Sequence, residues 1–150
     1  MSDGDLSEGS LAERPPVDGI LEAALYAPDL DAAEHFYGRL LGLERLQRNG
    51  NRHVFYAVGR TVLLIFNPAA TEIPLTKPGL PVPTHGARGP GHVCFSVPPG
   101  RMDQVAARLQ AAGIAIESDF VWPGGARSIY VRDPAGNSVE WAEPRLWGLA

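Results

Sequence analysis

Two stretches of the chain share one pattern without a gap: Glu22-Ala-Ala-Leu-Tyr-Ala-Pro28 and His92-Val-Cys-Phe-Ser-Val-Pro98. Each combines alternating side chains with a final proline, which predicts a strand followed by a break. Apolar residues at helical spacing follow in both cases, and each run closes at a glycine, Gly42 or Gly113, that suits the left-handed end of a helix. The chain therefore contains an internal repeat, and such repeats decide a fold where they occur.

The rest of each half is predicted as short strands separated by turn residues. The clearest turn signals are Asn49-Gly50-Asn51 in the first half and Asp133-Pro-Ala-Gly-Asn137 in the second. We therefore predict an α+β fold built from two tandem βαβββ modules. The predicted helices cover 30–41 and 102–112, and the predicted strands cover 19–27, 43–47, 52–58, 61–66, 93–97, 114–117, 128–132 and 138–142.

The two predicted modules account for most of the 150 residues and are expected to form one domain. The first residues are small and acidic without periodicity, and five prolines fall between residues 68 and 88. We therefore divide the chain into a flexible tail (1–18), a first module (19–67), a Pro/Gly-rich linker (68–88), a second module (89–144) and a C-terminal segment (145–150).

Composition argues against several kinds of partner. The net charge of -4 offers no basic surface for nucleic acid. The longest apolar runs, 23–27 and 62–66, are five residues long, whereas a membrane-spanning helix needs about 20. The N-terminus lacks the features of a secretory or transit peptide, and the single Cys94 cannot form an internal disulfide. We therefore expect a cytoplasmic protein with neither nucleic-acid nor membrane partners.

Three predicted strands each carry one side chain that can bind a metal. Strand alternation places Glu22 on the face of its strand opposite Ala23 and Leu25, which are apolar. By the same alternation, His92 and Glu140 point away from the apolar faces of their strands. If these polar faces curve toward each other, Glu22, His92 and Glu140 converge.

Two carboxylates and an imidazole in a partly dry cleft are costly unless a cation neutralises them. This donor set suits Zn²⁺, Ni²⁺, Co²⁺, Mn²⁺ or Fe²⁺, and three protein ligands leave positions for water and substrate. The sequence therefore predicts a catalytic divalent metal site, without distinguishing among these ions.

Several motifs resemble the vicinal oxygen chelate superfamily, which includes glyoxalases, bleomycin-resistance proteins and extradiol dioxygenases. The matching segments are Leu25-Tyr-Ala-Pro-Asp-Leu-Asp-Ala-Ala-Glu-His-Phe-Tyr37, Leu41-Gly-Leu43, Gly91-His-Val-Cys-Phe95 and Asp133-Pro-Ala-Gly-Asn-Ser-Val-Glu140. The resemblance covers about residues 19–144, and the turn that begins at Asp133 is its most specific part. It implies a paired βαβββ fold whose mixed sheets roll into a metal-holding cleft, and it makes a homodimer plausible.

Carried over to this chain, the resemblance assigns metal ligation to Glu22, His92 and Glu140. The position of a fourth ligand, where the family has one, falls on Leu63 with Leu64 beside it, and neither side chain can bind a metal. The family's mechanism implies that a metal holds adjacent substrate oxygens while a carboxylate, Glu22 or Glu140, carries a proton.

Five further residues are candidates for contact with a substrate. His85 and Arg88 lie in the predicted covering loop, where they could meet an anionic group. Tyr56, Arg127 and Tyr130 lie on strands that could line the cleft, although alternation places Arg127 and Tyr130 on opposite faces.

Two functions of different classes fit this pattern. The first is a metal-dependent glyoxalase-like enzyme acting on a small oxygen-bearing substrate, as a lyase, isomerase or dioxygenase. The alternative is a metal-free protein that sequesters a small molecule, as in the bleomycin-resistance branch. Retention of two carboxylates and a histidine favours the enzyme, because a sequestering protein has no need of converging carboxylates.

Overall fold

The computed structural model describes residues 13–75 and 79–150. Residues 1–12 of the expected tail and residues 76–78 of the expected linker lie outside this range. Residues 14–18 are exposed and form neither helix nor strand. No helix in the described part of the chain has the length and apolar character needed to cross a bilayer.

Eight strands form two four-stranded mixed sheets, which confirms the tandem βαβββ architecture. Sheet 1 has the order β1-β4-β3-β2, and sheet 2 has the equivalent order β5-β8-β7-β6. The pairs β1 with β4 and β5 with β8 are parallel, and the other pairs are antiparallel. The strands are β1 (Glu22–Tyr26), β2 (Glu44–Asn49), β3 (His53–Val58), β4 (Thr61–Phe66), β5 (His92–Ser96), β6 (Ser118–Val121), β7 (Arg127–Arg132) and β8 (Ser138–Ala142).

The helix of the first module begins at an aspartate cap and changes its winding midway. Asp29 accepts a hydrogen bond from the Ala32 amide at 3.0 Å, and α1 covers Leu30–Glu34. A π-helix continues α1 over His35–Leu40. Gly42 follows with a φ of +74°, the left-handed conformation expected of a glycine at the end of a helix. The wider π turn is a departure from the single α-helix predicted over 30–41.

Three further helical elements complete the fold. A short helix, α2 (Pro68–Thr71), forms where the sequence shows no periodicity, because Asn67 caps it and Pro68 stands in its first turn. The helix of the second module, α3, covers Met102–Ala111, and a 3₁₀ helix covers Pro144–Trp147.

The predicted strand over 114–117 is wrong by four residues, since the strand β6 covers Ser118–Val121. Ile114 and Ile116 do alternate, but they pack against the hydrophobic core rather than pairing in the sheet. The first hydrogen bond to β7 comes from the Glu117 amide to the Tyr130 carbonyl, so regular pairing starts only at the next residue.

One apolar core lies on the helix side of both sheets. It includes Leu25 and Ile65 of sheet 1 and Phe95 and Val139 of sheet 2, together with Phe36 from the first helical segment. The opposite sides of the two sheets are not joined in one core. We call the side of sheet 1 that carries Glu22, Ala24, Tyr26, Leu64 and Phe66 the first open face, and the side of sheet 2 that carries His92, Cys94, Ser128, Tyr130 and Glu140 the second open face.

The Asp133–Asn137 turn joins the two modules by buried polar contacts. The Tyr37 hydroxyl donates to Asp133 Oδ2 at 2.7 Å. The Asn137 side chain accepts from the Gly91 amide at 2.7 Å and donates to the Tyr26 carbonyl at 3.1 Å. The turn that carries the most specific motif of the sequence is therefore also the joint between the end of β1 and the start of β5.

Candidate functional site

His92 and Glu140 form a pair on the second open face. The His92 Nε2 atom lies 3.3 Å from Glu140 Oε1. The other ring nitrogen, Nδ1, lies 3.1 Å from the Ser138 carbonyl, which can only accept a hydrogen bond, so Nδ1 carries the proton in this contact. In the neutral ring the Nε2 lone pair is thus directed at the same space as a carboxylate oxygen.

Glu140 is fixed in place by a short chain of hydrogen bonds. Its side chain is buried, and Oε2 accepts from the Ser128 hydroxyl at 2.6 Å. The Ser128 oxygen in turn accepts from the Trp122 indole N–H at 2.8 Å. Because Oε2 is engaged in this way, Oε1 remains directed toward His92.

Two further ionisable side chains lie against Glu140. Burial and the negative charge of Glu140 raise the pKa of the Cys94 thiol to about 12. Burial, together with hydrogen bonding to Glu140, also raises the pKa of the Tyr130 hydroxyl, and the Tyr130 ring stacks on His92 with centroids 6.3 Å apart. Both the Cys94 thiol and the Tyr130 hydroxyl are therefore neutral at neutral pH.

The pair of His92 and Glu140 fits a divalent cation. Ligating histidines commonly donate their second ring N–H to a carbonyl, and ligating carboxylates are commonly hydrogen-bonded themselves. Both features are present, through Ser138 and Ser128. An imidazole nitrogen and a carboxylate oxygen suit zinc and the neighbouring transition metals.

Glu22 does not join this pair within one chain. The end of β1 meets the start of β5, because the Tyr26 carbonyl accepts from Asn137. Glu22 stands at the other end of β1, four residues before Tyr26. Four residues of strand correspond to about 13 Å between Glu22 and Tyr26. In residues 13–75 and 79–150, no three His, Cys, Asp or Glu side chains are grouped as a metal site. The core packs the sheets by their helix sides, so the two open faces of one chain do not close on each other.

Sheet register also locates the position at which a fourth ligand was considered. Leu64 pairs with Ala24 on the first open face, in the same way that Glu140 pairs with Cys94 on the second. Leu63 lies on the core side and is buried. The equivalent position is therefore Leu64 rather than Leu63, and the conclusion that it cannot bind a metal is unchanged.

The loop residues His85 and Arg88 are both engaged. His85 Nδ1 lies 2.7 Å from the Tyr26 hydroxyl, and its ring packs edge-on against Phe66. His85 therefore lies over the first open face, at the end far from Glu22. Arg88 forms an ion pair with Glu72 at 2.8 Å and is not directed at His92 or Glu140.

Of the three candidate strand residues, only Tyr130 lies on an open face. Arg127 binds Asp119 and Asp103 instead, at 2.8 and 2.6 Å. The expectation for Tyr56 is not met, because strand alternation places it on the core side, where it is fully buried. Its hydroxyl has no hydrogen-bond partner among the described residues, and burial raises its pKa to about 12.

Sequence reasoning missed Ser128, Trp122 and His53. A serine or tryptophan in a strand carries no signal of its own, and only the register shows that Ser128 neighbours Glu140. His53 on the first open face is 9% exposed and stacks on Phe55 with centroids 4.0 Å apart. Neither of its ring nitrogens has a hydrogen-bond partner in the described part of the chain, and burial, with a smaller contribution from Arg52, lowers its pKa.

Comparison with known proteins gives a consistent picture. The family model described as the glyoxalase/bleomycin resistance protein/dioxygenase superfamily matches residues 19–141. A lactoylglutathione lyase from Agrobacterium tumefaciens is 43% identical and superposes with a TM-score of 0.82, covering 90% of this chain and 100% of its own. Among curated protein sequences, none matches this chain.

More distant solved structures share the fold. A glyoxalase/bleomycin resistance protein/dioxygenase from Nocardioides is 23% identical, with a TM-score of 0.67 and coverage of 88% of this chain and 87% of its own. A virulence protein from Salmonella typhimurium is 22% identical, with a TM-score of 0.64 and coverage of 86% and 98%. At these identities the likeness concerns the fold alone.

Proposed function

Because the chain belongs to the glyoxalase/bleomycin resistance protein/dioxygenase superfamily, we propose that it is a metal-dependent glyoxalase-like enzyme acting on a small molecule. The observation that carries this proposal is the His92–Glu140 pair, with the His92 Nε2 lone pair and a fixed carboxylate oxygen 3.3 Å apart. A metal-free sequestering protein has no use for a carboxylate that is buried and oriented in this way.

We assign Glu22, His92 and Glu140 as the metal ligands. A divalent cation bound by them would polarise adjacent oxygens of a substrate and stabilise the negative charge that develops there. Ser138 and Ser128 orient His92 and Glu140 through the hydrogen bonds described above. Tyr130 lies beside both and forms one wall of the space into which a substrate would enter.

The two carboxylates are not equally suited to carrying a proton. Glu140 is buried and its Oε2 atom is engaged by Ser128. Glu22 is exposed and has no side-chain hydrogen bond or ion pair within the described residues. A carboxylate that moves between a metal and a substrate carbon needs this freedom, so we assign Glu22 as the proton carrier and Glu140 as the fixed ligand.

We further propose that the complete site is shared between two copies of the chain. Glu22 and the His92–Glu140 pair lie on different open faces, and they are not grouped within the described residues of one chain. A homodimer that sets the first open face of one copy against the second open face of the other would supply all three ligands twice, as two-fold symmetry requires.

The reaction class is proposed as lyase or isomerase chemistry rather than ring cleavage. The relative at 43% identity is named a lactoylglutathione lyase, so the thiol adduct of a 2-oxoaldehyde is the first substrate to test. A catechol serves as the test of the dioxygenase alternative.

The first experiment measures bound metal in the purified protein beside Glu140→Gln and His92→Gln. We expect about one transition-metal ion per site in the native protein and loss of most of it in both variants. Glu13→Gln is the matched control, because Glu13 is an exposed carboxylate outside both sheets. Folded native protein that takes up no metal after reconstitution with each candidate ion would move the assignment to metal-free ligand binding.

Co-expression of two variants that are each expected to be inactive, Glu22→Gln and Glu140→Gln, tests the shared site because it produces mixed dimers. If ligands come from two copies, each mixed dimer contains one intact site, and about a quarter of the native metal content and activity returns. If each chain holds its own site, every site carries a substitution and nothing returns.

A further inference from the structure

A cavity lies behind sheet 2, away from the proposed metal site. Its volume is about 420 Å³, which is within the range of about 300–1,000 Å³ that is typical of small-molecule sites. Phe95 and Trp141 form one wall. They pair with each other in the sheet and directly follow Cys94 and Glu140 in sequence, so they point to the opposite side of the same sheet. The cavity is therefore separated from the metal site by the thickness of one sheet.

The inner lining is apolar and comes from both modules. The first module contributes side chains from the end of its helix and the residues after it, namely Leu40, Leu41 and Leu43. The second module contributes the Phe95 and Trp141 rings, whose centroids are 5.4 Å apart. This lining favours an apolar chain or ring, because burying such a group removes its surface from water.

The rim of the cavity is cationic. Arg108 lines the cavity from α3, and Arg101 lines it from the position directly before the first residue of that helix. Arg101 Nε donates to the Gln104 side chain at 2.6 Å, which leaves its terminal nitrogens available. Within residues 13–75 and 79–150 neither guanidinium forms an ion pair, whereas the neighbouring Arg127 binds two aspartates.

We infer that this cavity binds a small amphipathic carboxylate. The apolar part of the ligand lies between the leucines and the Phe95–Trp141 wall, and the carboxylate is held at the rim by Arg101 and Arg108. Guanidinium groups match a carboxylate in shape and charge, which explains why two of them border an otherwise apolar space. This site is independent of the proposed metal chemistry.

Isothermal titration calorimetry with three probes tests the inference. Decanoate has both required parts, 1-decanol lacks the charge, and butyrate lacks most of the apolar chain. We expect decanoate to bind at one site per chain more tightly than either of the others. Equal binding of decanoate and 1-decanol, or no binding of decanoate at all, would overturn the proposal.

Two variants and a control locate the binding. The double variant Arg101→Gln/Arg108→Gln should weaken decanoate binding by about tenfold or more and leave 1-decanol unchanged. Arg60→Gln is the control, because Arg60 is an exposed arginine in the turn between β3 and β4. Val105→Phe, which adds volume at the lining, should weaken both probes, with folding checked by circular dichroism. Decanoate binding that survives both changes in folded protein would place the ligand elsewhere and refute the site.

Discussion

The two open faces have the same strand order but differ in what their central positions carry. On the second open face, Glu140 accepts a hydrogen bond from the Ser128 hydroxyl, so both buried side chains have a hydrogen-bond partner. On the first, the register equivalents are Leu64 and His53, and His53 has no hydrogen-bond partner among the described residues. One backbone framework thus supports a prepared polar site in one module and an aromatic and aliphatic surface in the other. The comparison shows that the polar network depends on two positions, which hold Glu140 and Ser128 on the second open face and Leu64 and His53 on the first.

The largest effect on metal binding is expected from Glu140→Leu, which gives the second open face the residue type that the first carries at the equivalent position, Leu64. Metal affinity should fall by more than about 100-fold, since a direct ligand contributes more than the residues that support it. The measurement is metal titration of apoprotein, with Glu13→Leu as the control, because Glu13 is an exposed carboxylate outside both sheets. Unchanged metal affinity in the folded Glu140→Leu variant would remove Glu140 from the site.

A smaller effect is expected when only the orientation of the carboxylate is disturbed. Ser128→Ala removes the 2.6 Å hydrogen bond to Glu140 and should lower metal affinity by about tenfold. Ser118→Ala, on the same face but without a side-chain hydrogen bond within the described residues, should have no effect. If both variants behave alike, Ser128 does not position Glu140.

His53 on the first open face should respond to pH in the opposite sense from a paired histidine. Its folded pKa is lowered, so the neutral form stabilises the fold above the ordinary value of 6.5, and this stability is lost as the pH falls. His53→Phe should raise the free energy of unfolding by about 1 kcal/mol at neutral pH, because two unpartnered buried nitrogens disappear. The difference from the native protein should grow between about pH 7.5 and about pH 5 in urea denaturation, and a difference independent of pH would contradict the assignment.

The smallest effect is expected at the far end of the hydrogen-bond chain. Trp122→Phe removes the indole donor to Ser128 but leaves the Ser128 contact with Glu140 in place. Metal affinity should fall by about threefold, which is less than for Ser128→Ala. An effect larger than that of Ser128→Ala would show that Trp122 acts by another route.

Much of the fold could be predicted because the repeat, the turn glycines and strand alternation are all local signals. The predicted strand over 114–117 failed because Ile114 and Ile116 alternate for packing reasons, and alternation does not distinguish pairing from packing. The π-helix over 35–40 has no sequence signature distinct from an α-helix.

The candidate site was predictable only in part. The shared side of His92 and Glu140 follows from alternation within each strand and from the parallel register of β5 and β8. Ser128 could not be found, because its contact with Glu140 depends on the register between two different strands. The separation of Glu22 from the other two depends on which sides of the sheets pack together, and this long-range property is not encoded in any one segment.

The joint between the modules has a consequence for how the protein avoids self-association through its strands. Strands β1 and β5 approach each other where the end of β1 meets the start of β5, and β2 and β6 form the opposite edges of the two sheets. Strand β2 carries Glu44, Arg45 and Arg48 and has a bulge between Arg45 and Gln47, and β6 has only four residues. Charged side chains, bulges and short strands all hinder edge-to-edge pairing with another chain. The two outer strand edges therefore carry features that make them poor templates for aggregation.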